Sequence, residues 1–170
     1  MEGAMADTMF NPGEALADAL HAPGPAPDMA DQMALYGWLV GRWEMDAVLH
    51  RDDGSTHLGR GTIAFGWVLG GRAVQDVWVL PGVFHGTTLR IYDPGLDAWH
   101  ILWNDPVRQV YVRQLGRARG KDIVQEDGGT TRWTFTDIEP DRFTWRGERS
   151  PDGGAAWQLL AEFRARRIVD

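Results

Sequence analysis

TTRWTFTDI (130–138), EPD (139–141), RFTWRGER (142–149), SPDGG (150–154) and AAWQLLAEFRARR (155–167) follow one another near the end of the chain. Two turn sequences separate three segments in which apolar and polar residues alternate, the period that lets a strand bury one face. Trp133 and Phe135 share a face, as do Phe143 and Trp145, and then Trp157, Leu159, Ala161 and Phe163. The opposite faces carry Arg132 and Thr134, then Arg142, Thr144 and Arg146, then Glu162, Arg164 and Arg166. This pattern predicts an antiparallel meander with an aromatic inside and a charged outside.

Working back toward the start, turn signals recur at Asp52-Asp53-Gly54, Gly70-Gly71, Asp93-Pro94-Gly95, Asn104-Asp105-Pro106, Gly116 to Gly120 and Asp127-Gly128-Gly129. Pro81-Gly82 adds one more break. About ten strands fit between them: 41–51, 57–68, 72–80, 86–92, 97–104, 108–115, 121–126, 131–138, 142–149 and 155–167. No gap is long enough for a crossover helix, so the links are hairpins and the strands antiparallel. Ten such strands with one apolar face remove their free edges by closing into an up-and-down barrel. The fold class is therefore all-β.

Residues 1–27, with Pro23, Pro25 and Pro27, read as a Pro-rich tail ahead of a single barrel domain over 28–170. A short helix is expected from Asp28 as N-cap, burying Met29, Met33, Tyr36 and Val40 and ending at Gly37. Strand 72–80 is apolar on both faces, which predicts an outer cover from the N-terminal segment or a second subunit, a possible homodimer. The net charge of −7 argues against nucleic acid as partner. No segment has the roughly 20 apolar residues of a membrane helix, and a cytoplasmic protein is the default expectation. The chain has no cysteine and nine tryptophans. The first excludes thiolate chemistry, and the second suggests an aromatic-walled cavity.

Leu39-Val40-Gly41-Arg42-Trp43 on the first strand, with Arg164, Arg166 and Arg167 ending the last, resembles the calycin group of small barrels: lipocalins, fatty-acid-binding proteins and nitrobindins. It is most similar there to an uncharacterised bacterial domain-of-unknown-function family that shares Leu-x-Gly-x-Trp and a late Ser-x-Asp-Gly-Gly-x-x-Trp, here Ser150 to Trp157. The resemblance implies that Trp43 closes the barrel floor under an arginine of the last strand, with Arg164 or Arg166 the expected partner. The disulfides of secreted lipocalins have no cysteines here, and no His follows His100 to hold haem as nitrobindins do.

Candidate chemistry is sparse. The two serines, Ser55 and Ser150, and the one lysine, Lys121, lie in or beside turns, away from any nucleophile elbow. His50 and His57 flank a turn and read as surface histidines rather than a metal site. His85 shares parity with Leu89 and Ile91 and is expected at the barrel mouth, where an imidazole could move a proton. Tyr111 and Arg113 share one face of strand 108–115, and either face could point inward. The same alternatives stand for Gln75 and Asp76, of which one must face in.

Two functions follow. In the first, the barrel binds a small hydrophobic or aromatic molecule between Trp43, Phe65, Trp67, Trp99, Trp103, Trp133 and Trp145, with Gln75 as a polar contact. In the alternative, a cofactor-independent enzyme of cyclase, isomerase or lyase type uses His85 with Tyr111, Arg113 or Asp76 in the same cavity. Neither needs a metal or cofactor. A cavity of roughly 300 Å³ or more is expected for either.

Overall fold

Every strand-to-strand link is a hairpin, and the tenth strand returns to pair with the first. The computed structural model describes residues 11–169. Its strands are β1 (Gly41–His50), β2 (Thr56–Val68), β3 (Ala73–Leu80), β4 (Phe84–Asp93), β5 (Ala98–Asp105), β6 (Val110–Arg119), β7 (Asp122–Glu126), β8 (Thr131–Glu139), β9 (Arg142–Arg149) and β10 (Gln158–Arg167). All neighbours are antiparallel, and pairing of Trp43 with Arg167 closes the barrel through β1 and β10. The fold is the calycin-like up-and-down barrel that the alternation and the resemblance predict.

Two helices precede it, α1 (Pro12–Leu20) and α2 (Ala30–Gly37), with a single 3-10 turn (Pro27–Met29) between them. The segment expected to be a tail is structured from Asn11 and returns to the barrel. Leu69 N donates to Leu20 O, Ala22 N to Trp67 O and Ala26 N to Gly71 O, all at 2.9–3.0 Å. Asp28 caps no helix; its carboxylate pairs with Arg72 at 2.9 Å. Among the described residues, no helix is long and apolar enough to cross a membrane.

α2 plugs one end of the barrel. Met33 and Tyr36 are fully buried on its inner face, and Leu39 follows them inward. Trp43 lies there too, with its Nε1–H donating to Leu39 O at 2.7 Å. The cation over its ring is Arg167, 4.1 Å from the centroid, rather than Arg164 or Arg166. Parity explains the correction: Phe163 and Ala165 face in, so Arg164 and Arg166 face out, where they pair with Glu162, Glu44 and Asp46.

The alternation breaks at two register shifts, between Leu159 and Ala161 on β10 and between Thr136 and Glu139 on β8. A bulge adds a residue to one strand and moves later side chains to the other face. The shift on β10 separates Trp157 from the inward set of Ala161 and Phe163, and Arg132 lies over its ring at 4.0 Å. On β3, Trp78 is buried inside the barrel, which leaves Val77 and Val79 as the apolar part of the outer face. Val77 is 39% exposed.

Candidate functional site

The helix-plugged half of the barrel is filled and the opposite half is not. Below, Trp43 of β1 meets Phe143 of β9 edge-on at 4.8 Å, and Tyr36 packs α2 onto the sheet by meeting Trp99 at 4.8 Å. Above, a cavity of about 220 Å³ remains, smaller than the size expected from the sequence because α2 occupies the other end. Its apolar walls are Trp78, Phe84, Trp103, Trp133, Trp145 and Phe163. Trp133 and Trp145 stack at 5.4 Å with 22° between their planes. Arg108, with a side chain 46% exposed, stands at the opening.

Two glycines let these indoles lie flat on the sheet. A Cβ on Gly147, the cross-strand partner of Trp133, would come within 2.3 Å of the Trp133 ring. One on Gly86 would come within 2.5 Å of the Trp103 ring. Wall shape is thus set by paired glycine and tryptophan positions on neighbouring strands.

Of the expected ligand contacts, Trp103, Trp133 and Trp145 line the cavity. Trp43 belongs to the floor, and Phe65 and Trp99 are buried in the filled core. Trp67 packs on α2, where a Cβ on Gly37 would meet its ring at 2.8 Å. Gln75 faces out and donates to the Thr87 hydroxyl at 3.0 Å. None of these five lines the cavity.

The acid/base candidates scatter in the same way. His85 is exposed, because Phe84, Gly86, Thr88 and Arg90 are the inward residues of β4. Its apolar neighbours Leu89 and Ile91 lie on the outer face, which corrects the expected placement at the mouth. Tyr111 is 63% exposed and hydrogen-bonds Gln109, and Arg113 is exposed beside it, since Val110, Val112 and Gln114 point inward. Only Asp76 is inside, and there it is committed: it pairs with the buried Arg90 and accepts from Thr88 N at 2.7 Å. Neither Asp76 nor Arg90 lines the cavity.

Sequence reasoning missed the polar lining. Gln114 and Gln125 are buried, and both face the cavity with Thr88 and Thr131. Gln125 Nε2 donates to the Tyr36 hydroxyl at 2.9 Å, and Gln114 Nε2 to Thr131 Oγ1 at 3.1 Å. Thr131 in turn donates to Asp127 Oδ2 at 2.9 Å. Burial pushes the Asp127 carboxyl up, but hydrogen bonds from Thr131 and Thr130 outweigh it and hold the group at about 2. A sequence pattern could have flagged these glutamines only through their parity with Val110, Val112 and Val124's neighbours, which period-2 counting leaves two-fold ambiguous.

Burial pushes the Tyr36 phenol up to about 12, against the opposing effects of the Arg90 charge and the Gln125 hydrogen bond. In the unfolded chain a tyrosine ionises near 10, so between about pH 10 and 12 the folded state keeps a proton the unfolded state loses. Stability should therefore fall as pH rises through that window, by about 2–3 kcal/mol in all. Tyr36→Phe should flatten the slope, read from urea midpoints at about pH 9 and pH 11. An unchanged slope in the variant would assign the alkaline loss to other groups.

No family model matches the chain, and no curated protein matches it in sequence. Solved structures do match in shape. The S-type phycobiliprotein lyase CPES from Guillardia theta superposes with a TM-score of 0.58 at 12% identity, over 81% of this chain and 92% of that one. Rv2717c from M. tuberculosis gives 0.59 at 11% identity, over 88% and 99%. A DUF3598 protein of unknown function from Nostoc punctiforme gives 0.50 at 17% identity, over 77% of this chain and 48% of that one. What these likenesses show is the fold: this chain is a calycin-like barrel.

Proposed function

We propose that this protein binds a small, flat hydrophobic or aromatic molecule in the open half of its barrel. The observation that carries the reading is the contrast between the halves, one filled to the helix plug and the other left as an aromatic-walled space of about 220 Å³. Pockets for drug-sized ligands run from about 300 to 1,000 Å³, so this smaller space suits a small ligand such as a bicyclic ring. Aromatic walls favour such a ligand through area burial and through offset or edge-on ring contacts. The phycobiliprotein lyase among the similar structures is named for catalysis, but its 12% identity transfers no residue to this chain. Binding is preferred to catalysis because His85, Tyr111 and Arg113 lie outside the cavity and Asp76 is held by Arg90.

Four cavity-lining tryptophans make the test direct. Titration with bicyclic aromatic compounds should quench the intrinsic fluorescence saturably. Gly147→Ala should weaken that binding by about tenfold or more, because the added methyl drives the Trp133 ring into the cavity. Unaltered binding in a folded Gly147→Ala protein would place the ligand elsewhere, and no saturable quenching by any such compound would remove the reading.

A further inference from the structure

We infer that the cavity selects neutral hydrogen-bond donors and rejects anions, with the carbonyl oxygen of Gln114 as the group that reads the ligand. The inference rests on the binding reading above and specifies its ligand class.

The orientation of the Gln114 amide follows from its partner. Thr131 gives its hydroxyl proton to Asp127, so its oxygen is left to accept, and Gln114 must turn Nε2 toward it. Gln125 bonds the Tyr36 hydroxyl, which both donates and accepts and so fits either orientation of that amide. The Gln114 carbonyl oxygen then has no protein partner among the described residues. That oxygen is not among the fully enclosed, unpartnered atoms, so it opens onto the cavity that Gln114 lines. Gln125 pairs across the ladder with Gly116, two residues from Gln114 on the same face. The two amides are therefore diagonal neighbours, about 7–8 Å apart at the backbone and within reach of one ligand edge.

Such acceptors are satisfied by an N–H or O–H and repelled by a carboxylate. No cation in the cavity reverses that preference. Arg90 lies beneath it, neutralised by Asp76, and Arg108 at the opening is already paired with Asp105 at 2.5 Å. A charged group taken out of water without a partner costs far more than a neutral one, so an anion is excluded at the deep end.

Calorimetric titration of the full chain at pH 7 with naphthalene, 2-naphthol and 2-naphthoate tests this with one ring system. The O–H of 2-naphthol should give about tenfold tighter binding than naphthalene, the effect of one hydrogen bond to an otherwise unmet acceptor. 2-Naphthoate should bind at least about tenfold more weakly than 2-naphthol. Gln114→Met should cut the preference for 2-naphthol over naphthalene by about tenfold, whatever it does to the affinity for the bare ring. Gln114→Leu carries the same test if Gln114→Met does not fold. Equal affinity for all three compounds, variants that shift all three alike, or naphthoate binding as tightly as naphthol through Arg108, would each overturn the selectivity and leave the binding reading standing. Absence of binding by any of the three would overturn both.

Discussion

Asp76→Ala should destabilise the protein by about 3–5 kcal/mol, the cost of leaving a buried charge without its partner. Asp76 and Arg90 are each about 1% exposed, on adjacent strands. The guanidinium sits 5.4, 5.5 and 5.8 Å from the ring centroids of Tyr36, Phe65 and Phe135, so aromatic faces and one carboxylate are its surroundings. Its Nε has no partner among the described residues. Removing Asp76 also frees Thr88 N, whose residue lines the cavity, so the loss reaches the site as well as the core. A buried pair is not in itself strongly stabilising, because desolvating both ions costs about what their attraction returns. The double change Asp76→Leu with Arg90→Met should therefore recover most of the loss and could exceed the parent. Urea unfolding of the three proteins measures this. A single-variant cost below about 1 kcal/mol would mean that water reaches Arg90 and that the lower barrel is wet.

That same pair is why the inner face of β4 could not be read from the sequence. The strand carries Leu89 and Ile91 on one parity and Gly86, Thr88 and Arg90 on the other, so alternation assigns the leucine and isoleucine to the core. In the barrel the polar set is inside: Arg90 meets Asp76, and Gly86 makes room for Trp103. Both requirements lie on other strands, and no window along β4 contains them. His85 inherited the error, being placed by its parity with Leu89. On β6, Tyr111 and Val112 differ too little in hydrophobicity for period-2 counting to choose a face. Strands whose inward residues are uniformly apolar were legible, and β9, with Phe143 and Trp145, is the clearest. Hairpin order followed from the turn residues, because each Gly- or Pro-bearing turn ends a strand where the chain must reverse, and closure from the free edges that ten one-sided strands would otherwise expose. What remained hidden was cross-strand register, and cavity shape depends on it.

Trp43→Ala should cost about 3–5 kcal/mol, yet leave ligand affinity in the folded protein within about twofold of the parent. Trp43 is completely buried, donates to Leu39 O and meets Trp38 and Phe143 edge-on at 6.3 and 4.8 Å. Its removal opens a void against α2 that the surrounding rings cannot close without leaving their own contacts. Arg167 adds a second tie. It covers the indole and donates to Val40 O at 2.8 Å, Trp38 O at 2.5 Å and Pro140 O at 2.9 Å, joining β10 to the chain around α2. A double-mutant cycle with Arg167→Ala isolates the ring–cation contact from those backbone bonds, and a coupling of about 0.5–2 kcal/mol is expected. Neither residue lines the cavity, which is walled by residues nearer the opposite end of the strands. The floor should therefore govern stability and the upper walls affinity, and the two should vary independently. A folded Trp43→Ala protein that lost quenching by more than about tenfold would reverse that division. It would return Trp43 to the ligand site, where a count of tryptophans alone had placed it.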